Sequence, residues 1–81
     1  MTNTEIEIAN FFVKREGEGI LDSIYEMDFI DSGIIDSLDL LLLASYIEES
    51  FGVKLNLMDE STFTSIRKFN SLVQLVNDKI K

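Results

Sequence analysis

Ser37 lies in the run Asp36-Ser37-Leu38-Asp39, and two further aspartates, Asp28 and Asp31, stand shortly before it. Four carboxylates so close together invite a test as a calcium loop, which needs oxygen ligands at alternate positions, a central glycine and a closing glutamate. Here Gly33 follows Asp31 by two and apolar Ile34 and Ile35 fill the next places, so adventitious divalent binding is as far as the pattern reaches. The serine cannot act as a nucleophile by itself either. The chain has no His and no Cys, which removes the commonest general base, the commonest metal ligand and thiolate chemistry together. Asp36 and Asp39 are too weak as bases at an ordinary aspartate pKa. The remaining chemistry of Ser37 is that of an acceptor modified by another enzyme. It sits at the start of an expected helix, where free N–H groups and the helix dipole tolerate a phosphodiester. The plainer reading is that Ser37, or Asp36, is an N-cap.

Paired carboxylates offer no better site. Glu5 and Glu7, Glu48 and Glu49, and Asp59 and Glu60 all fall on helix ends or faces expected to be exposed. Acid–base work needs two environments that push the pKa values apart. A protein with enzymatic activity of its own is therefore not expected.

The elements that must position Ser37 can be read from periodicity. Thr4 to Arg15 reads as a helix, with Ile6, Ala9, Phe12 and Val13 on one face and Ile8 and Phe11 widening it. Thr4 and Glu7 have capping-box spacing, Lys14 and Arg15 suit the last turn, and Gly17 and Gly19 stop it. Gly19 to Asp36 is a long loop whose apolar residues, Ile20, Leu21, Ile24, Met27, Phe29, Ile30, Ile34 and Ile35, should pin it to the core. A second helix follows from Asp36-Ser37 and closes at Gly52, a C′ glycine. Leu40, Leu43, Ile47 and Phe51 form its buried stripe and Leu41 and Ala44 adjoin it, while Leu38 and Leu42 continue on another side toward Ser45 and Glu49. Asn56 to Thr62 has room for about one helical turn. The last helix carries Ile66, Phe69, Val73, Val76 and Ile80, with Ser65 as its expected N-cap and Ser71 as the alternative. The core should draw on Phe12, Ile30, Leu43, Ile47, Phe51, Phe69, Val73 and Val76. The fold class is all-α: three main helices and a short fourth, in a single domain over residues 1–81.

The chain has 81 residues and a formal net charge of −8, from fifteen Asp and Glu against seven Lys and Arg. That balance disfavours nucleic acid and favours basic protein surfaces. No apolar run approaches the length of a membrane span, and the first residues lack the positive n-region of a signal peptide. The expectation is a cytoplasmic monomer whose core rests on packing alone.

At Asp36-Ser37-Leu38 the sequence resembles the acyl carrier protein family, the phosphopantetheine-binding carrier domains. The resemblance spans nearly the whole chain: an amphipathic first helix, a long loop, a Gly-x-x-Asp-Ser-Leu helix start, a helix closed by Ser50-Phe51-Gly52-Val53, and a later Phe63-Thr64-Ser65-Ile66. It implies a four-helix carrier-protein bundle. It also implies that Ser37, framed by Asp36 and Leu38, bears a 4′-phosphopantetheine attached from coenzyme A by a phosphopantetheinyl transferase. The thiol of that arm would hold acyl or aminoacyl groups as thioesters for loading and downstream acyl-transfer enzymes. By position, the partner surface would comprise Ile35, Asp36, Leu38, Asp39, Leu42, Ser45, Glu48 and Glu49.

Two features set this chain apart from fatty-acid-synthesis carriers, which usually have one residue between the glycine and the aspartate and an acidic residue five places after the serine. Here Ile34 and Ile35 separate Gly33 from Asp36, and the later place is Leu42. The Gly-Ile-Ile-Asp-Ser form looks more like D-alanyl carriers and the stand-alone carriers of specialised biosynthesis, and Leu42 implies partners that use more apolar contact and less salt bridging. The alternative from another class is an unmodified acidic adaptor that docks through Leu38 and Leu42.

Overall fold

Thr2, not Thr4, starts the first helix of the computed structural model, which describes residues 1–80. Both threonines have a glutamate three residues on, and tertiary contacts decide between them. The Thr2 hydroxyl accepts from the Glu5 amide at 3.2 Å, and Glu5 accepts from the Thr2 amide at 2.9 Å. The Thr4 hydroxyl is instead spent on Asn77 at 2.9 Å, and Glu7 on the Tyr46 hydroxyl. Helix α1 therefore runs Asn3–Glu16. Its buried stripe is Ile8, Ala9 and Phe12, whereas Ile6, expected on that stripe, is exposed. Tyr46 draws the Glu7 side of the helix inward, its hydroxyl donating to the Glu7 carbonyl at 2.6 Å.

The chain between α1 and the next α-helix is anchored along its length. A 3₁₀ turn, Glu18–Asp22, buries Ile20, and Ile24, Phe29 and Ile35 follow it into the core. Phe29 stacks on Phe12 with ring centroids 4.2 Å apart, and its amide donates to the Arg67 carbonyl at 2.7 Å. Each such fully buried side chain contributes about 1.5–3 kcal/mol of apolar transfer, enough to offset the ordering of a few loop residues. Gly33 turns the loop back with φ 80°, a conformation that side-chain-bearing residues resist. The Ile35 amide then returns to the Phe29 carbonyl at 3.0 Å.

Helix α2, Ser37–Phe51, ends as expected on Gly52, which is left-handed at φ 70° and ψ 21°. Leu40, Leu43 and Ile47 are buried, but Phe51 is only half-buried, and so is Ile30. The expectation that both stand at the centre of the core is corrected accordingly. Phe29 takes the place assigned to Ile30 because it is the aromatic that faces Phe12.

Helix α3, Glu60–Ser65, begins at Asp59, whose carboxylate accepts from the Thr62 amide and hydroxyl at 3.1 and 3.0 Å. Ser65 closes this helix and does not open the last one, which is α4, Phe69–Ile80. Ser71 is not a cap either, since its hydroxyl donates to the Ser65 and Lys68 carbonyls. The cause lies in the intervening residues. Lys68 forms an isolated antiparallel bridge with Asp28, beside the bond from Phe29 to the Arg67 carbonyl. A continuous helix from Ser65 could not offer those groups to the loop. Ile66 is fully buried in the connection, and α4 turns Phe69, Leu72, Val73 and Val76 inward. The architecture is thus an all-helical bundle in which α1 packs against α2 and α4, with α3 against α4.

Candidate functional site

The start of α2 is fixed by a reciprocal capping box. Asp36 is the N-cap, and its Oδ1 accepts from the Asp39 amide at 2.9 Å, while Asp39 Oδ2 accepts from the Asp36 amide at 3.3 Å. Aspartate at this place stabilises the helix both by satisfying free N–H groups and by its charge near the positive end of the dipole. The Asp39 amide, more than any other group, holds the Asp36 carboxyl below the ordinary aspartate value of 3.8, with a further contribution from the Arg15 charge.

This division leaves Ser37 without a capping duty. It occupies the first helical position and is exposed, and the capping bonds on either side are made by Asp36 and Asp39. A free hydroxyl at a helix N-terminus, ahead of a rigid helix, fits a phosphate ester: the attached group projects into solvent and its charge meets the dipole favourably.

The four aspartates do not converge. Asp28 and Asp31 face Arg67, whose Nη2 lies 2.8 Å from Asp31 Oδ1 and whose Nε lies 3.3 Å from Asp28 Oδ2. Asp28 also accepts from the amides of Ile30 and Asp31, and the Asp31 amide leads in lowering its pKa. Asp36 and Asp39 belong to the cap, where Arg15 Nη2 lies 3.0 Å from Asp39 Oδ2. Among the described residues no group of three carboxylates is placed to hold a metal ion.

The residues expected around Ser37 separate into two groups. Leu38, Leu42, Ser45, Glu48 and Glu49 are exposed along α2, as is Asp36, and Asp39 is half-buried. Ile35 does not join them. Its side chain is 1% exposed, because the bond from its amide to Phe29 turns it into the core. Leu41 is 56% exposed, one helical turn after Ser37 on the same face. It borders a shallow groove between α2 and the segment 54–57, lined also by Ala44, Ser45, Leu55 and Leu57. Spacing along the helix sets Leu41 beside the buried stripe, and its exposure corrects that reading; the four-residue step from Ser37 was the signal that could have found it. Arg15 is the other addition. Its only signal in the sequence is a basic residue in the last turn of the first helix.

A family profile described as "Phosphopantetheine attachment site" matches residues 15–76. No curated protein and no solved structure matches the chain.

Proposed function

Because the chain belongs to the phosphopantetheine attachment-site family, whose domains bear 4′-phosphopantetheine covalently, we propose that Ser37 is the attachment residue of a carrier protein serving acyl or aminoacyl transfer. The observation that carries this reading is the exposed Ser37 at the first position of α2, with capping left to Asp36 and Asp39. A serine that capped the helix would have its oxygen committed to a backbone N–H.

In the attachment step Ser37 Oγ bonds to the pantetheine-side phosphorus of coenzyme A as the pyrophosphate P–O bond breaks. Adenosine 3′,5′-bisphosphate leaves with that electron pair, and the serine proton passes to a base of the transferase, since this chain holds none at the site. Once attached, the arm supplies a thiol that forms thioesters. The chain's own residues set position and charge. Asp36 and Asp39 fix the helix start, and Ser37 presents the bond at its tip. Leu41, Leu55 and Leu57 stand, one turn away, in a shallow groove that they share with Ser45, Glu48, Lys54 and Asn56, a mixed surface against which a tethered group can rest.

Partner enzymes dock on α2 through Leu38, Leu41 and Leu42, with Ser45, Glu48 and Glu49 toward the far end. With Leu42 where fatty-acid carriers usually carry a carboxylate, apolar contact outweighs charge near Ser37. We therefore place this carrier with the D-alanyl and specialised stand-alone carriers. The test is intact mass after incubation with coenzyme A and a broad-specificity phosphopantetheinyl transferase, followed by peptide mapping. One phosphopantetheinyl group on Ser37 is expected. No increment, or an increment on Ser32, Ser45 or Ser65, would overturn the assignment.

A further inference from the structure

Asp39 stands two residues from the proposed attachment serine, yet its carboxylate is not free for a partner. Oδ2 accepts from the Asp36 amide at 3.3 Å and lies 3.0 Å from Arg15 Nη2, and the side chain retains only 19% exposure. Arg15 is seated rather than loose. Its guanidinium lies over the Phe11 ring, 5.6 Å from the centroid. Phe11 packs edge-on against Phe12 and tilted against Tyr46, with centroids 5.4 Å away in each case. Phe12 in turn stacks on Phe29 in the core. The cation therefore rests on an aromatic platform that is itself anchored, an arrangement that suits a planar, forked guanidinium better than an ammonium.

The consequence concerns which enzymes this carrier meets. A chain of net charge −8 attracts basic surfaces, and such surfaces find acidic groups by charge. Near Ser37, Arg15 neutralises Asp39 and presents a like charge to an approaching basic groove. We infer that Arg15 is a specificity-determining residue: by masking Asp39 it turns away partners that read a carboxylate beside the serine and favours those that read the apolar face of Leu38, Leu41 and Leu42. This inference rests on Ser37 as the attachment residue.

The experiment measures the rate of phosphopantetheine transfer from coenzyme A by a broad-specificity phosphopantetheinyl transferase, read by intact mass, for wild type, R15Q, D39N and R15Q/D39N. At low salt R15Q should lower the KM for the carrier about threefold and leave kcat unchanged, the scale of an exposed ion pair. The gain should vanish in the D39N background and shrink as salt is added. R15K, which keeps the charge but loses the fork and the stacking, should fall between wild type and R15Q. An R15Q protein with unchanged or raised KM would overturn the inference, and so would an equal gain in the D39N background, because Arg15 would then not act through Asp39. Should R15Q fail to melt cooperatively, R15K compared with wild type in both Asp39 backgrounds gives the same decision. A wild-type chain that acquires no phosphopantetheinyl mass would overturn the Ser37 assignment and the inference with it, an outcome distinct from an altered KM.

Discussion

Replacing Ser37 by Ala should separate modification from folding, and the start of α2 says by how much. The substitution removes an exposed hydroxyl at the first helical position. Both arms of the capping box, Asp36 with the Asp39 amide and Asp39 with the Asp36 amide, remain. Alanine is the better helix former by at most about 0.5 kcal/mol. In a domain of this size 1 kcal/mol moves Tm by about 4–8 °C, so S37A should melt between unchanged and about 4 °C higher. Asp36→Ala is the contrast, since it removes the N-cap acceptor and leaves the Asp39 amide without a partner. Loss of a cap in so small a domain lowers Tm by about 4–8 °C. Thermal melts by circular dichroism would give both shifts, and intact mass after transferase treatment would show the increment in wild type and none in S37A. An S37A protein that melts several degrees below wild type would mean that the hydroxyl caps the helix after all. One that still gains the phosphopantetheinyl mass would refute Ser37 as the acceptor.

Phe29→Ala, which empties the site stacked on Phe12, should cost about 3–5 kcal/mol, a large share of the stability of an 81-residue chain. Phe51→Ala, at a half-buried position, should cost clearly less, and chemical denaturation of the two variants would reverse the ranking if Phe51 were the true centre. Asp28 and Asp36 are held below the ordinary 3.8, so their contribution is complete above about pH 4 and is lost as pH falls through their lowered values. Tm should therefore fall as the pH is taken below about 4, and at pH 7 it should rise with added salt because a net charge of −8 repels itself; a Tm indifferent to salt would mean that the excess carboxylates are locally paired. Leu42→Glu should make the holo protein a better substrate for a fatty-acid malonyl transferase and a worse one for its own loading enzyme, because a charge enters an apolar contact. Equal turnover of wild type and variant by the malonyl transferase would remove the basis for placing the carrier outside fatty acid synthesis.

What the sequence discloses and what it hides divide along sequence separation. The extent of helix α2 was legible because its signals are local: an Asp-Ser pair of which either member can cap, a leucine-rich stripe and a glycine at C′. The start of the last helix was not. Ser65 has the right residue type and places Ile66 and Phe69 at helical spacing, but the Arg67 carbonyl and Lys68 are taken by Phe29 and Asp28, partners far away in the chain. The same loop misled the core assignment. Adjacent Phe29 and Ile30 are equivalent by composition, and only the stacking of Phe29 on Phe12 decides which one is buried. Ile35 is the parallel case in the site: its place just before Asp36 suggests a surface contact, and its hydrogen bond to Phe29 turns it inward.

The local order of Asp36 and Ser37 carries more information than either residue type alone. Both side chains can cap a helix, and a sequence reading leaves the choice open. In the structure the aspartate caps and the serine follows it, which keeps the hydroxyl oxygen off the backbone while holding it at a fixed point on the helix end. A neutral serine in the cap would give up the hydroxyl, and an aspartate at the first helical position would leave no acceptor for a phosphoryl group. Only the observed order supplies a stable helix start and an uncommitted hydroxyl at once. The charge cost of that order is one carboxylate on each side of the acceptor. Arg15, delivered by α1 from across the long loop, offsets one of them, and so the loop that hides the pairing from the sequence is also what brings the cation to the site.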